Sequence, residues 1–122
     1  MINQIVVAPP NSLFFISESL RSEAPEVTGV GLVWFNATCV VIGCLMYQDG
    51  ETTVTVTSEG EPDDEINMRA FDGVIETPAR ELVISSCEHD VYLQVPVVST
   101  RTRVRIWVND TSEPDEIFVR LG

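Results

Sequence analysis

The chain has 122 residues, the length of a single domain, and 44% of them are hydrophobic, which is enough to form a buried core. Nineteen Asp and Glu residues stand against seven basic residues, so the formal net charge is −12. Because nucleic acids and anionic membranes are bound through basic side chains, this charge argues against both as partners and favours a basic protein. We predict one domain over residues 1–122.

The first ten residues lack the basic flank and the apolar run of a secretory signal. The three cysteines are an odd number, which does not suit a complete disulfide framework. No apolar run is long enough to span a bilayer, since residues 27–47 are interrupted by Asn36 and three glycines. We therefore expect a cytoplasmic protein with reduced thiols.

Apolar and polar residues alternate with a period of two along the whole chain, and no segment shows a helical period. Val, Ile and Thr dominate these runs, and Gly, Pro, Asn and Asp separate them. Many short strands joined by polar turns predict an all-β fold, an antiparallel β-sandwich of about eight to ten strands, with a β-barrel as the alternative. The predicted strands are approximately 3–8, 12–18, 28–35, 38–47, 51–58, 66–71, 73–77, 81–86, 91–95, 102–109 and 116–121.

The hairpin formed by residues 28–35 and 38–47 differs from the other strands, because it is apolar on both faces. One face must pack in the sandwich core, so the second face needs its own cover. The chain's own loop 19–27 is the first candidate, and self-association into a homodimer is the alternative.

Two segments concentrate carboxylates, and both run from an acid through Pro and further acids to an Ile that leads into a strand. Their carboxylates are Glu59, Glu61, Asp63, Asp64 and Glu65 in the first segment, and Asp110, Glu113, Asp115 and Glu116 in the second. At the ends of a sheet, such residues can imitate nucleic-acid phosphates and bind a basic nuclease or toxin. The alternative is a ligand-binding rim for calcium, a small anion or a sugar, although the spacing matches no calcium loop.

Alternation along residues 102–108 predicts that Thr102, Val104, Ile106 and Val108 face the core. It places Arg101, Arg103, Arg105 and Trp107 on the opposite, solvent-facing side. Such a stripe can pair with carboxylates on neighbouring strands, or it can grip an anion or a sugar. Ion pairing across strands is the simpler interpretation.

Four residues are potential zinc ligands, Cys39, Cys44, Cys87 and His89, but their spacing is not that of a zinc site. Cys39 and Cys44 lie five residues apart in one predicted strand and therefore point to opposite faces. We predict core thiols and a solvated turn histidine. Neither a catalytic residue nor a cofactor or metal site is predicted.

The segments 71–78, 81–85, 95–97 and 103–108 read Phe-Asp-Gly-Val-Ile-Glu-Thr-Pro, Glu-Leu-Val-Ile-Ser, Val-Pro-Val and Arg-Val-Arg-Ile-Trp-Val. In this pattern the chain resembles small bacterial β-sandwich proteins related to the competence protein J family. The family includes an inhibitor of a nuclease that acts in DNA uptake. The resemblance implies a non-enzymatic protein that binds and blocks a nuclease or toxin as an immunity partner.

Overall fold

The computed structural model describes residues 2–122, which form ten β-strands and one short 3-10 turn at Pro10–Ser12. The strands are β1 (Ile2–Val7), β2 (Leu13–Ser17), β3 (Val33–Phe35), β4 (Cys39–Gly43), β5 (Thr52–Thr57), β6 (Met68–Glu76), β7 (Glu81–Ser86), β8 (Val91–Pro96), β9 (Arg101–Val108) and β10 (Glu116–Leu121). The all-β prediction is therefore confirmed. Over residues 2–122 there is no helix with the length and apolarity that a membrane span requires.

The strands form two five-stranded sheets, not a closed barrel. Sheet 1 has the order β1-β5-β10-β9-β6, and sheet 2 has the order β3-β4-β2-β7-β8. Every pair is antiparallel except β5 and β10, which run parallel. The predicted β-sandwich is confirmed, with this one parallel pair added. Because β5 and β10 are far apart in sequence, no hairpin forces them to be antiparallel.

The core lies between the two sheets and consists of apolar residues on their facing sides. Sheet 1 contributes Val54, Val56, Val104, Ile106, Ile117 and Val119, all with no exposed surface. Sheet 2 contributes Phe14, Ile16, Val40 and Ile42, which are equally buried. Burial of such side chains is the main stabilising term of the fold, about 1.5–3 kcal/mol each.

Strand β6 is continuous where the sequence predicted two strands, 66–71 and 73–77. Its register with β9 shifts between Arg69 and Phe71, which marks an irregularity within one strand. A Cβ atom on Gly73 would lie 2.7 Å from the Phe71 ring, so the glycine leaves space for that ring. The Phe71 ring also contacts Phe35 of β3, with 5.1 Å between the ring centroids. Gly73 therefore serves packing, and the two sheets meet at the β6–β3 edge.

The central hairpin is shorter than predicted, since β3 and β4 together cover eight residues. Loop 19–27 reaches it through side-chain hydrogen bonds. Ser22 Oγ donates to Thr38 Oγ1 at 2.7 Å, and Asn36 Nδ2 donates to the Glu23 carbonyl oxygen at 2.7 Å. These bonds hold the loop at the turn of the hairpin. Phe35 of β3 is 63% exposed, and the loop as cover for the hairpin's second face stays a prediction.

Candidate functional site

The first acidic segment, residues 58–67, connects β5 to β6, which are separated in sheet 1 by β10 and β9. It starts beside the end of β10, where Thr57 pairs with Arg120. It finishes beside the end of β9, where Met68 pairs with Val108. These two points are at opposite ends of the sheet, because β9 and β10 are antiparallel. The segment therefore crosses sheet 1, whereas the sequence had placed it at a sheet end.

Several contacts hold this crossing segment in place. Arg120 Nη1 donates to the Gly60 carbonyl oxygen at 3.1 Å and to Glu61 Oε1 at 3.2 Å. The Thr57 hydroxyl donates to the Glu59 carbonyl oxygen at 2.9 Å, and the amide of Ile66 donates to the Asp63 carbonyl oxygen at 2.9 Å. The segment is consequently an ordered element of the surface, which displays its carboxylates in a defined arrangement.

The outer face of sheet 1 carries an apolar floor beneath this segment. Phe118 points away from the core, because its neighbours Ile117 and Val119 point into it, yet it is only 8% exposed. Ile66 of the crossing segment is also buried, and both side chains line one recess. Trp107 of β9 packs edge-on against Phe118, with 5.9 Å between the ring centroids. Phe118 is therefore a buried residue on the outer face of β10, shielded by the crossing segment.

The second acidic segment, residues 109–116, consists of the tight connection between the adjacent strands β9 and β10 and the first residue of β10. Asp110 Oδ2 accepts hydrogen bonds from the amide of Glu113 at 3.0 Å and from the Ser112 hydroxyl at 3.2 Å. The bond from Glu113 is the main reason why the pKa of Asp110 lies below its ordinary value. Asn109 Nδ2 donates to Asp115 Oδ1 at 2.6 Å. This segment is therefore shaped mainly by its own side chains.

The structure brings together some of the nine predicted site residues and leaves others apart. Glu61 and Asp63 of the first segment and Glu116 of the second line the recess above Phe118, which has a volume of about 220 Å³. Glu116 is half-buried. The remaining eight are exposed, namely Glu59, Glu61, Asp63, Asp64, Glu65, Asp110, Glu113 and Asp115. The two acidic segments therefore meet at one recess and extend away from it on either side.

No three Asp, Glu, His or Cys side chains of residues 2–122 are grouped as ligands of a metal ion. Calcium needs six to eight oxygen ligands, and clustered carboxylates normally supply several of them. The calcium alternative therefore has no candidate site in the described part of the chain.

The arginine stripe is part of an ion-pair network between β9 and β6. Arg103 Nε and Nη2 donate to the two carboxylate oxygens of Asp72 at 2.9 and 2.8 Å. This bidentate bond is the first cause of the lowered pKa of Asp72, and Arg69 adds a weaker contact at 3.7 Å. Arg105 Nη2 donates to the main-chain oxygen of Gly122 at 2.7 Å. Ion pairing across strands is confirmed at Arg103.

The cysteines are free thiols, and the structure confirms that Cys39 and Cys44 are buried. Burial raises the pKa of Cys39 to about 12 and also raises that of Cys44, so neither is a reactive thiolate. Cys87 is half-buried, and its sulfur accepts a hydrogen bond from Asn11 Nδ2 at 3.3 Å. His89 is exposed in the β7–β8 turn with a φ of 67°. Cys39, Cys87 and His89 line one recess of about 360 Å³.

Neither a protein-family model nor a curated protein sequence matches the chain. Among solved structures, it is similar to ComJ from Bacillus subtilis, described as an inhibitor of the DNA-degrading activity of NucA, with a TM-score of 0.70 and 8% identity over 99% of this chain and 97% of that one. It is also similar to the product of crocagin biosynthetic gene J, with a TM-score of 0.62 and 12% identity over 99% and 96% of the two chains. The resemblance to the competence protein J family is therefore confirmed at the level of the fold.

Proposed function

We propose that this chain is a non-enzymatic binding protein that captures a basic protein, a nuclease or toxin, on its acidic face. We define the acidic face as the two acidic segments together with the recess between them. The observation that carries the proposal is the meeting of Glu61, Asp63 and Glu116 around a recess that combines apolar side chains, among them Phe118, with uncharged polar ones. A Lys or Arg side chain of a partner suits such a recess, because its stem is apolar and its end is cationic.

The charge of the acidic face supports this proposal. Arg120 neutralises Glu61 only in part, since the Glu61 side chain is 76% exposed and its ion pair is open to solvent. With a net charge of −12 behind it, the face attracts a basic surface over a distance and speeds the encounter. The similarity of the whole fold to ComJ, a nuclease inhibitor, favours a nuclease as the partner. On this proposal the protein acts in the cytoplasm as an immunity partner.

The proposal is tested on DNA-degrading activity from the source organism. A lysate is fractionated on a cation exchanger, which retains basic proteins, and each active fraction is assayed for DNA degradation with and without the purified chain. We expect inhibition in at least one fraction, together with capture of the inhibited nuclease on immobilised chain. Undiminished activity in every fraction would contradict the nuclease version of the proposal.

A charge-neutralised variant tests the acidic face itself. Replacing Glu61 and Glu65 by Gln, and Asp63 and Asp64 by Asn, should weaken capture and flatten its dependence on salt. The matched control neutralises four exposed carboxylates elsewhere, Glu23, Glu26, Glu76 and Glu88, and changes the net charge by the same amount. Equal weakening in both variants would mean that net charge, not this face, governs binding.

The alternative of a ligand-binding rim stays a prediction. Calorimetric titration with calcium chloride, followed by thermal unfolding with and without the ion, tests its metal version. Heat of binding together with a raised melting temperature would favour that alternative over the capture of a basic protein.

A further inference from the structure

A cavity of about 290 Å³ lies at the end of the sandwich where the chain passes from sheet 2 to sheet 1, and we call it the end cavity. Strand β8 ends at Pro96, and residues 97–100 connect it to β9, which begins at Arg101. The cavity is lined by this connection and by inward residues of sheet 1, Thr102 of β9 and Leu121 of β10. Because these two side chains are each 5% exposed, the floor of the end cavity borders the core.

The connection 97–100, which forms one wall of the end cavity, is held in place by Thr77. This residue follows β6 and has no exposed surface. Its amide donates to the Thr100 carbonyl oxygen at 2.8 Å, and its hydroxyl donates to the Ser99 carbonyl oxygen at 2.8 Å. The hydroxyl of Thr102 is 2.8 Å from the same Thr77 oxygen. The wall is thus fixed by buried hydrogen bonds, which keep the cavity open.

The inside of the end cavity is mainly apolar, with Pro96, Val97, Val98 and Leu121 in its lining. Val98 is 96% exposed, more than any other large apolar side chain of residues 2–122. Water has few hydrogen-bond partners in such a space, so an apolar ligand that displaces it gains contacts at little cost. A cavity of about 150 Å³ holds a benzene ring. The volume of the end cavity therefore suits an apolar body about twice that size.

Arg101 is the one charged residue among the described residues that line the end cavity. It is exposed at the rim, where β9 begins. Within residues 2–122 its guanidinium has no hydrogen bond or ion pair, whereas Arg103 of the same strand binds Asp72. Glu76 lies opposite Arg101 in the register of β6 and β9, but it is exposed and does not pair with it. The rim therefore carries a cation without a partner in a chain rich in carboxylates.

The end cavity differs in charge from the acidic face. Three carboxylates line the recess above Phe118, whereas no described Asp or Glu lines the end cavity. The main-chain oxygen of Gly122 at the rim is already bound by Arg105 Nη2 at 2.7 Å. At physiological ionic strength, salt screens exposed charges that are more than about 8 Å away. Arg101 can therefore attract an anion to this rim despite the net charge of −12.

We infer that the end cavity binds a small organic acid, whose apolar body lies in the cavity and whose carboxylate pairs with Arg101 at the rim. A guanidinium holds a carboxylate through two parallel hydrogen bonds, which fixes the orientation of the ligand. The apolar body contacts Leu121 and Val97 and covers the exposed Val98. This inference does not depend on the proposed function, because the cavity and the charge of its ligand both differ from those of the acidic face.

Calorimetric titration of the intact chain with 2-naphthoate tests the inference, and 2-naphthamide is the uncharged control of nearly equal shape. Both compounds have a two-ring body that suits the volume of the cavity. We expect one 2-naphthoate to bind per chain, with a dissociation constant about fivefold below that of 2-naphthamide. Benzoate, which has a single ring, should bind more weakly than 2-naphthoate. Absence of saturable binding of 2-naphthoate would overturn the inference, and so would equal dissociation constants for the acid and the amide.

A charge variant tests the role of Arg101. Arg101→Met should raise the dissociation constant of 2-naphthoate about fivefold and leave that of 2-naphthamide unchanged, because it removes the cation and keeps an apolar side chain. The matched control, Arg21→Met, removes the same charge from an exposed residue of loop 19–27 and should change neither constant. Equal weakening of 2-naphthoate binding in both variants would mean that net charge governs it, and would rule out pairing with Arg101.

NMR spectroscopy of the intact chain tests the location of the ligand. Nuclear Overhauser effects should connect the ring protons of 2-naphthoate with the methyl groups of Val97, Val98 and Leu121. Amide signals of residues 96–102 should shift during the titration, while those of the recess above Phe118 should not. Contacts confined to that recess or to any other surface would overturn the assignment to the end cavity.

Discussion

The two acidic segments look alike in sequence but are held in place differently. Both lead through Pro and acids to an Ile, yet residues 58–67 cross two strands, while residues 109–116 join adjacent ones. The first depends on a distant anchor, because Arg120 of β10 binds Gly60 and Glu61. The second is organised by Asp110 and Asn109, both within the segment. A turn-like sequence therefore specifies local conformation, and the strands that it connects decide where its carboxylates are displayed.

The largest expected contrast is in the free energy of unfolding, between variants of the isoleucine that follows the acids in each segment. Ile117 is fully buried in the core, whereas Ile66 is 9% exposed and lies outside the core cluster, on the outer face of sheet 1. Ile117→Ala should lower the free energy of unfolding by about 2–5 kcal/mol, and Ile66→Ala by about 1 kcal/mol. Urea unfolding of both variants measures the difference. Equal losses would mean that the crossing segment is as integral to the fold as the core.

Replacing the arginine that anchors the crossing segment should have a smaller effect on stability. Arg120→Met removes the hydrogen bonds to Gly60 and Glu61 and should cost about 1 kcal/mol, since the ion pair is open to solvent. It should also speed hydrogen exchange and proteolysis within residues 58–67 while leaving residues 109–116 unchanged. The control is Arg101→Met, an exposed position on β9. Faster proteolysis of both segments would show that they are not independent.

The smallest expected effect is on the pH dependence of stability, and it comes from Asp110 in the second segment. The pKa of Asp110 is lowered, chiefly by the hydrogen bond from the Glu113 amide, so the ionised form stabilises the fold. This contribution is fully present above the ordinary aspartate pKa and is lost as the pH falls through the lowered value. An NMR titration of the Asp110 carboxyl should have its midpoint below the ordinary value. Asp110→Asn should make unfolding less sensitive to acid, and an unchanged pH profile would contradict this.

Much of the sandwich could be predicted from alternation alone, because the two faces of a strand are a local property of the chain. The inward positions Val104, Ile106 and Val108 are buried as expected, and so are the thiols Cys39 and Cys44. Composition likewise predicted a strongly acidic surface, since charge is a sum over residues. The nine carboxylates were identified in the same way, although their role in binding stays a prediction.

The tertiary structure decided which of these features meet. The burial of Phe118, the pairing of Arg103 with Asp72 and the parallel β5–β10 pair all depend on which strands are neighbours in sheet 1. Strand order arises from contacts between residues far apart in sequence, and no local pattern encodes it. The sequence by itself thus determined an acidic, all-β domain with its inner and outer faces. Only the fold brought the acidic segments to one recess and formed the end cavity beside Arg101.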